Sequence, residues 1–321
     1  MGFTTDNVPA RRIAQVAGVG GIAVGIVALI ALYSSEPINP LIAVASFVPI
    51  LLAVTLVASL ICLVFRRWIL LAISVALIAI GTSVISPLYV ANGSEIDGPS
   101  LRVMQANLLF GQADPASLTA TVREKAVDVL TVQELTESLE GSLRDQGLEQ
   151  LLPYHFLMPD NAGGGGAGIY SRFPLTDTRE LNGFGPTNLV ATVAFSTPFT
   201  LLAVHPGPAY VTPPDVWTAE LSTLRNALDA AAAEETVIVS GDFNTTFMHK
   251  QFRDLLDVGY SDAADQLGVG IVPTYPADKR YPAIVGIDHV VLRGAQAKSL
   301  ERIQIEGSDH HGLIVDVTIP E

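Results

Sequence analysis

The sequence predicts an α/β sandwich domain preceded by three transmembrane helices. Three observations lead there. Residues 1–90 contain three apolar runs without a charge, 13–33, 41–65 and 68–86. Residues 91–321 hold 14 basic and 30 acidic side chains, a net charge of −16, against +2 for residues 1–90. In the acidic part, short β-type runs alternate with helical stretches, and hairpin-like strand pairs are mixed with crossovers. That order suits a mixed sandwich better than a purely parallel sheet.

The apolar runs are 21, 25 and 19 residues long. A helix needs roughly 20 residues to cross about 30 Å of hydrocarbon, so all three are long enough to span. The first follows Arg11 and Arg12 as a signal peptide would, but its core is too long for one and two more runs follow. Arg11/Arg12 precede the first run and Arg66/Arg67 form the turn between the second and third, while residues 34–40 have no basic side chain. The positive-inside rule therefore expects a multi-pass protein of the cell membrane, with its N-terminus cytoplasmic and everything beyond residue 90 extracytoplasmic. Gly21 and Gly25 make a GxxxG pair that suits close packing against the other spans or dimerisation, so the oligomeric state stays open. No ionisable side chain lies inside a run, which leaves ion transport without a residue to work with.

Residues 91–99 read as a polar linker and 100–321 as the second domain. Strands are expected at 101–107, 127–134, 167–171, 189–195, 199–205, 236–242, 285–292 and 313–319. Helices are expected at 115–125, with Asp114 as cap, at 136–145 and at 215–233. The one low-complexity spot, 163–166, reads as a flexible loop tip.

Polar residues recur at the ends of the apolar strands: Asn107, Glu134, His205, Asp242 with Asn244, Asp288 with His289, and Asp309-His310-His311 before the last strand. A sandwich can gather such ends at one mouth. Carboxylates and an amide are hard oxygen ligands that suit Mg²⁺ or Mn²⁺. The single Cys62 lies inside an apolar run, so a cysteine-based zinc site and a disulfide within the chain are both excluded.

The segments QANL (105–108), VQEL (132–135), YSRFPL (170–175), AVH (203–205), GDFN (241–244), GIDHV (286–290) and SDHH (308–311) carry a resemblance. In order and spacing, the chain from about 100 to 320 resembles the endonuclease/exonuclease/phosphatase superfamily, the deoxyribonuclease-I-like enzymes, here in a membrane-anchored bacterial type. The resemblance implies a four-layer α/β/β/α sandwich and metal-dependent hydrolysis of phosphate esters. It implies Glu134, Asn107 and Asp309 as metal ligands and His310 as the histidine at the attacking water or the phosphate. Asp288 would orient that histidine, Asp242 and Asn244 would position water and phosphate, and His205 would bind phosphate oxygens.

Structural alternatives stand beside each role. Glu134 could serve a helix N-terminus, Asn107 and Asp242/Asn244 could make Asx turns, and His205 could be a loop residue. Asp288 could be a satisfied buried acid, and Asp309-His310 a plain surface turn. Neighbours alternate faces on a strand, so His289 and His311 read as bystanders, while His155 and His249 read as surface residues. Tyr170 faces either the phosphate or the interior. The stretch 206–217 is Pro-rich, apolar and without basic residues, which a DNA backbone would require. It reads as a lip in which Tyr210, Val211 and Trp217 meet lipid, or as a plain spacer. The partners expected are thus a lipid bilayer and a phosphorylated, lipid-linked substrate, with nucleic acid less favoured. The competing readings are an anchored nuclease and a catalytically inactive scaffold.

Overall fold

The structure is a computed structural model that describes residues 8–93, 95–161 and 164–321. It divides into two compact units, one of residues up to Pro87 with Met248–Lys250, the other of Leu88–Phe247 and Gln251–Glu321.

The first unit contains α1 (Val8–Tyr33), α2 (Asn39–Ala45), α3 (Val48–Val64) and α4 (Trp68–Ile85). Two of these, α1 and α4, are long and apolar enough to cross a membrane. The expected second span is not one helix: α2 and α3 meet at a 73° bend. Pro49 accounts for the break, because it has no N–H to donate to the carbonyl of Ala45 and its ring crowds that carbonyl. The helices long and apolar enough to cross are thus two, or three if the bent α2–α3 pair makes one broken span. The Arg66–Arg67 turn is tight, with Arg66 in the left-handed region at φ 55°. The GxxxG pair packs within the chain. A Cβ on Gly21 would lie 2.2 Å from that of Ala58, and one on Gly25 would meet Thr55. Small residues here let two helix backbones approach.

The second unit runs β1 (Ser100–Asn107), α5 (Pro115–Glu124), β2 (Val129–Gln133), α6 (Glu137–Asp145), α7 (Leu148–Leu151), β3 (Tyr154–Met158) and β4 (Ala167–Ser171). It continues with β5 (Leu175–Glu180), β6 (Leu189–Val193), β7 (Phe199–Val204), α8 (Pro214–Ala231), β8 (Val237–Asp242), α9 (Lys250–Leu256) and β9 (Ser261–Asp262). It closes with α10 (Ala263–Leu267), β10 (Asp288–Arg293), β11 (Gln296–Gln304) and β12 (His311–Thr318). Two six-stranded mixed sheets result, ordered β11-β12-β1-β2-β4-β3 and β5-β6-β7-β8-β10-β9. Their facing sides interdigitate in one apolar cluster that includes Val103, Val129, Ile169 and Val315 from the first sheet and Leu201, Ile238 and Val290 from the second. The outer face of the first sheet packs Met104, Leu130 and Val132 against Leu118, Val122, Leu139 and Leu143 of α5 and α6. On β7 and β8 the alternate residues Leu202, Val204, Val237 and Val239 are buried as well, and α8 buries Trp217, Leu221, Leu224 and Leu228 along one stripe. The caps follow the sequence: Asp114 accepts from Ser117 N–H and Thr136 from Leu139 N–H.

The register decides where the polar strand ends go. β1 and β2 are parallel, as are β7 and β8, so Asn107, Glu134, His205 and Asp242 leave these strands at one end. β10 runs antiparallel to β8 with Asp288 opposite Asp242, and β12 runs antiparallel to β1. The starts of β10 and β12 therefore reach the same end as the finishes of the parallel strands.

Candidate active site

All eight residues expected at the site lie at that end. Their hydrogen bonds assign each a place. His310 Nδ1 is 2.9 Å from Asp288 Oδ2, and both are buried. Asp288 Oδ1 accepts from Gln105 Nε2 at 2.7 Å, and the same amide donates to Gln133 Oε1 at 2.8 Å. Asn107 Nδ2 donates to Glu134 Oε1 and to Asp242 Oδ2, each at 3.0 Å. Its Oδ1 accepts from Leu109 N–H at 2.9 Å, which fixes the amide so that its NH₂ faces the two acids. Glu134 Oε2 accepts from Phe110 N–H at 2.7 Å, so its partners are site residues while Thr136 caps the following helix. Asp242 Oδ1 accepts from Asn244 N–H at 2.8 Å, an Asx turn that leaves Oδ2 for the site.

His205 Nε2 stands 3.8 Å from Asp242 Oδ2 and 4.0 Å from Glu134 Oε1, and His310 Nε2 stands 3.8 Å from Asp242 Oδ2 and 3.9 Å from Asp309 Oδ1. Both imidazoles thus aim one nitrogen at the carboxylate group. Asn244 is placed beside them, but its Nδ2 donates to Pro206 O at 2.9 Å and holds the segment after His205.

The backbone here is held in conformations that cost energy. Leu109, Phe110, Glu134 and Asn244 all have φ between 45° and 60°, and none is glycine. Such residues persist where surrounding bonds over-determine them, and they gather at working sites. Glu134 sits one residue beyond β2, and the left-handed turn is what swings its carboxylate toward Asn107.

Electrostatics follow from crowding. Burial would lower His310, but Asp288 and Asp242 outweigh it and push its pKa up to about 10. Burial raises Asp242, with Asp288 adding to it. Burial likewise raises Glu134 against its bonds from Asn107 and Phe110, and it raises Asp309. Burial lowers His205. Several carboxylates therefore share a dry floor with few positive charges, a state that a divalent cation relieves. Among the described residues, Asp242, Asp288 and His310 offer ligand atoms within 4.8 Å of one another. That grouping overlaps the catalytic set expected, and the expected ligands Glu134 and Asp309 lie around it; Asn107, also expected as a ligand, instead turns its NH₂ to the acids and its oxygen to Leu109 N–H. The donor set, mostly carboxylate oxygen, fits a hard divalent cation.

The floor opens into a cavity of about 500 Å³ walled by Phe110, Pro208, Tyr210, Val211 and Val216. Several expectations change here. Trp217 is fully buried and its Nε1 donates to Asn244 O at 3.4 Å, so it meets no lipid: the helical stripe of α8 turns it inward. Tyr170 lies in the interior among the α5/α6 cluster and takes no part in the site. Gly163 lies outside the described residues. Gly164 and Gly166 are closely packed instead of forming a loose tip. A Cβ on Gly166 would lie 2.0 Å from Leu135 O, and one on Gly164 would lie 2.5 Å from the Phe110 ring. His249, expected at the surface, is buried.

Sequence reasoning missed four supports. Gln105 ties Asp288 to the first sheet. Ser308 Oγ donates to Asn107 O at 2.8 Å and accepts from His310 N–H at 3.1 Å. Asn188 holds His205 by its backbone, accepting from His205 N–H at 2.7 Å. Glu220, buried on α8, accepts from Gly185 N–H at 2.8 Å and Gly207 N–H at 2.6 Å, clamping two loops of the cavity wall. Buried polar residues within the QANL and SDHH segments were the available signal for the first two; nothing local marked Asn188 or Glu220.

The sequence profile of the endonuclease/exonuclease/phosphatase family matches residues 104–310. The chain belongs to this family. Members are generally phosphoesterases and usually use divalent metal ions. Similar solved structures include TDP2 of D. rerio with a single-strand DNA product, at 21% identity and TM-score 0.57, covering 68% of this chain and 99% of that one. An endonuclease/exonuclease/phosphatase of Bacteroides vulgatus matches at 15% identity and TM-score 0.55, over 69% and 99%. A mannosyl-6-phosphatase of Bacteroides thetaiotaomicron matches at 14% and TM-score 0.51, over 68% and 100%. At these identities the likeness is one of fold. Comparison with curated proteins gives no match.

Proposed function

We propose that the chain is a membrane-anchored, divalent-metal-dependent phosphoesterase that works at the extracytoplasmic face on a lipid-linked phosphate or pyrophosphate. The observation that carries the hydrolase reading is the His310–Asp288 pair aimed, through Nε2, at the acids on the floor of one cavity. Asp288 fixes the ring and its tautomer, which leaves Nε2 to hold or move a proton at an attacking water or a phosphate oxygen. His205 Nε2 faces Asp242 and Glu134 and can bind a phosphoryl oxygen. Glu134 and Asp309 would hold Mg²⁺ or Mn²⁺, which supplies charge neutralisation at the phosphoryl group, and the Asn107 NH₂ would orient the Glu134 and Asp242 carboxylates. Anchoring is supported by the two helices long and apolar enough to span. Sidedness is supported by the arginine pairs, with the bent α2–α3 pair taken as a broken third crossing. The lipid-linked substrate is supported by the same anchor and by the net charge of −16 beyond residue 90, which repels a polyanion.

The full-length protein in detergent should release phosphate from lipid phosphates with Mg²⁺ or Mn²⁺ and lose that activity in EDTA. Glu134→Ala should fold, insert and fail to turn over. Activity that survives both would remove the metal-dependent reading. Alkaline phosphatase fused after residue 95 should be active and fused at residue 66 inactive; the reverse would invert the topology. Faster hydrolysis of DNA than of lipid phosphate would favour the nuclease reading.

A further inference from the structure

The wall of the cavity, as distinct from its floor, is built to face something apolar. Phe110 is 53% exposed although its backbone occupies the left-handed region at φ 50°. Its ring is not free to collapse inward. Its N–H is committed to Glu134, and Gly164 closes against the ring, where any side chain would collide. Across the mouth, Tyr210 is 78% exposed and Val211 68% exposed, in a turn closed by Val211 and Thr212 N–H to Pro208 O. Tyr275 lines the same opening, and its ring lies 5.0 Å from that of His310. Val216, 42% exposed, continues this side at the start of α8. Exposed apolar side chains scattered singly are ordinary; here they border one opening, and the backbone N–H groups of Phe110 and Val211 are both hydrogen-bonded.

The chemistry of the lining excludes other occupants. Among the described residues no lysine or arginine lines the cavity, whereas Glu134, Asp160, Glu220, Asp242 and Asp309 do. Both oxygens of Glu220 are already committed to backbone N–H groups. A second phosphate of a polynucleotide laid along this wall would meet no cation. A hydrocarbon chain would meet Phe110 on one side and Tyr210, Val211 and Val216 on the other.

We infer that this wall is a subsite for an aliphatic group esterified to the phosphate, and that Phe110, Val211 and Val216 set the preference for it. The inference rests on the phosphoesterase reading of the floor. It adds which part of the substrate is recognised and by which residues.

The test uses the full-length protein in detergent with Mg²⁺ and two soluble series, n-alkyl phosphates and p-nitrophenyl n-alkyl phosphodiesters. Both run from ethyl to octyl, below their critical micelle concentrations. Full burial of a methylene is worth about 0.8 kcal/mol, or about fourfold. In this half-open groove, kcat/KM of at least one series should rise about two- to fourfold per methylene over the first few, mainly through KM. Val211→Ser with Val216→Ser, and separately Phe110→Ala, should flatten that rise, the loss growing with chain length to tenfold or more at octyl. Micelle partitioning is the same for wild type and variants, so a slope that survives in the variants overturns the subsite. A flat profile in an active wild type overturns it too. Binding of n-alkylphosphonates, measured calorimetrically, separates the two claims. Chain-length-dependent affinity without turnover of any ester would remove the hydrolase reading and retain the subsite. Affinity independent of chain length would remove the subsite.

Discussion

Two buried histidine–aspartate pairs in the second unit have opposite fates. His310 Nδ1 lies 2.9 Å from Asp288 Oδ2, and His289 Nδ1 lies 2.5 Å from Asp262 Oδ2. In both, acidic neighbours outweigh burial and hold the imidazole above its usual pKa. The difference is the second nitrogen. Nε2 of His289 faces Thr245 O at 3.1 Å, and its ring packs on Phe252 with centroids 4.2 Å apart. Nε2 of His310 faces Asp242 across a gap and opens on a cavity. A buried His–Asp pair is therefore not in itself a catalytic signature; an uncommitted nitrogen facing a cavity is what distinguishes one.

The largest effect that would break this comparison is on turnover. His310→Ala should lower kcat by about 10²–10⁴, the range of general acid–base contributions. His289→Ala should lower the melting temperature and leave kcat per folded molecule little changed, and His311→Ala should cost far less than His310→Ala. Steady-state kinetics with a folded fraction from circular dichroism checks all three. Equal losses at 310 and 289 would erase the distinction.

A smaller effect is expected one layer out. Glu220 needs two acceptors for Gly185 and Gly207 N–H, and an amide offers one. Glu220→Gln should reduce kcat about ten- to a hundredfold by displacing the segment that carries His205, with KM changing less. A loss of stability with full kcat would make Glu220 merely structural.

The smallest is a pH effect on the sealed pair. The folded-state pKa of His289 is raised, so its ion-pair contribution is fully present below the unfolded value of about 6.5 and fades as pH rises through the folded value. Asp262→Asn keeps the cap on Ala264 N–H but loses the charge. It should cost about 1–3 kcal/mol near pH 6 and less in alkaline solution. Denaturant melts at several pH values read this directly, and a gap that widens with pH would refute the sign.

The expectations drawn from residues alone held where local rules act. Asp114 caps the helix expected after it, and eight strands are legible as apolar and β-type runs; Thr136, read as the first residue of its helix, is its cap. Four strands, β3, β5, β9 and β11, are not legible in the sequence. β5 and most of β11 are exposed and polar, β9 is two residues long, and β3 is mostly apolar, so no clean alternation marks any of them. The second apolar run reads as one continuous helix because hydropathy averages over Pro49, whereas a single absent N–H bends it into α2 and α3. Trp217 was placed at a lip because the stretch before it is loop. It belongs to a helix whose stripe faces the interior.

The sequence by itself determined the acidic α/β domain, the apolar helices before it and the inventory of acids, amides and histidines at strand ends, because those follow from composition, periodicity and motif order. Only the tertiary structure decided which members of that inventory act together. Asp288 meets His310 because β10 and β12 both start at the end where the parallel strands finish, and that register is set by pairing across the sheets. Glu220 reaches Gly207 because α8 folds back on the segment after β7, an approach no local pattern encodes. His289 and His310 carry the same neighbours in sequence terms, an aspartate before each. The packing of Phe252 and the carbonyl of Thr245 close the one, and the cavity leaves the other open.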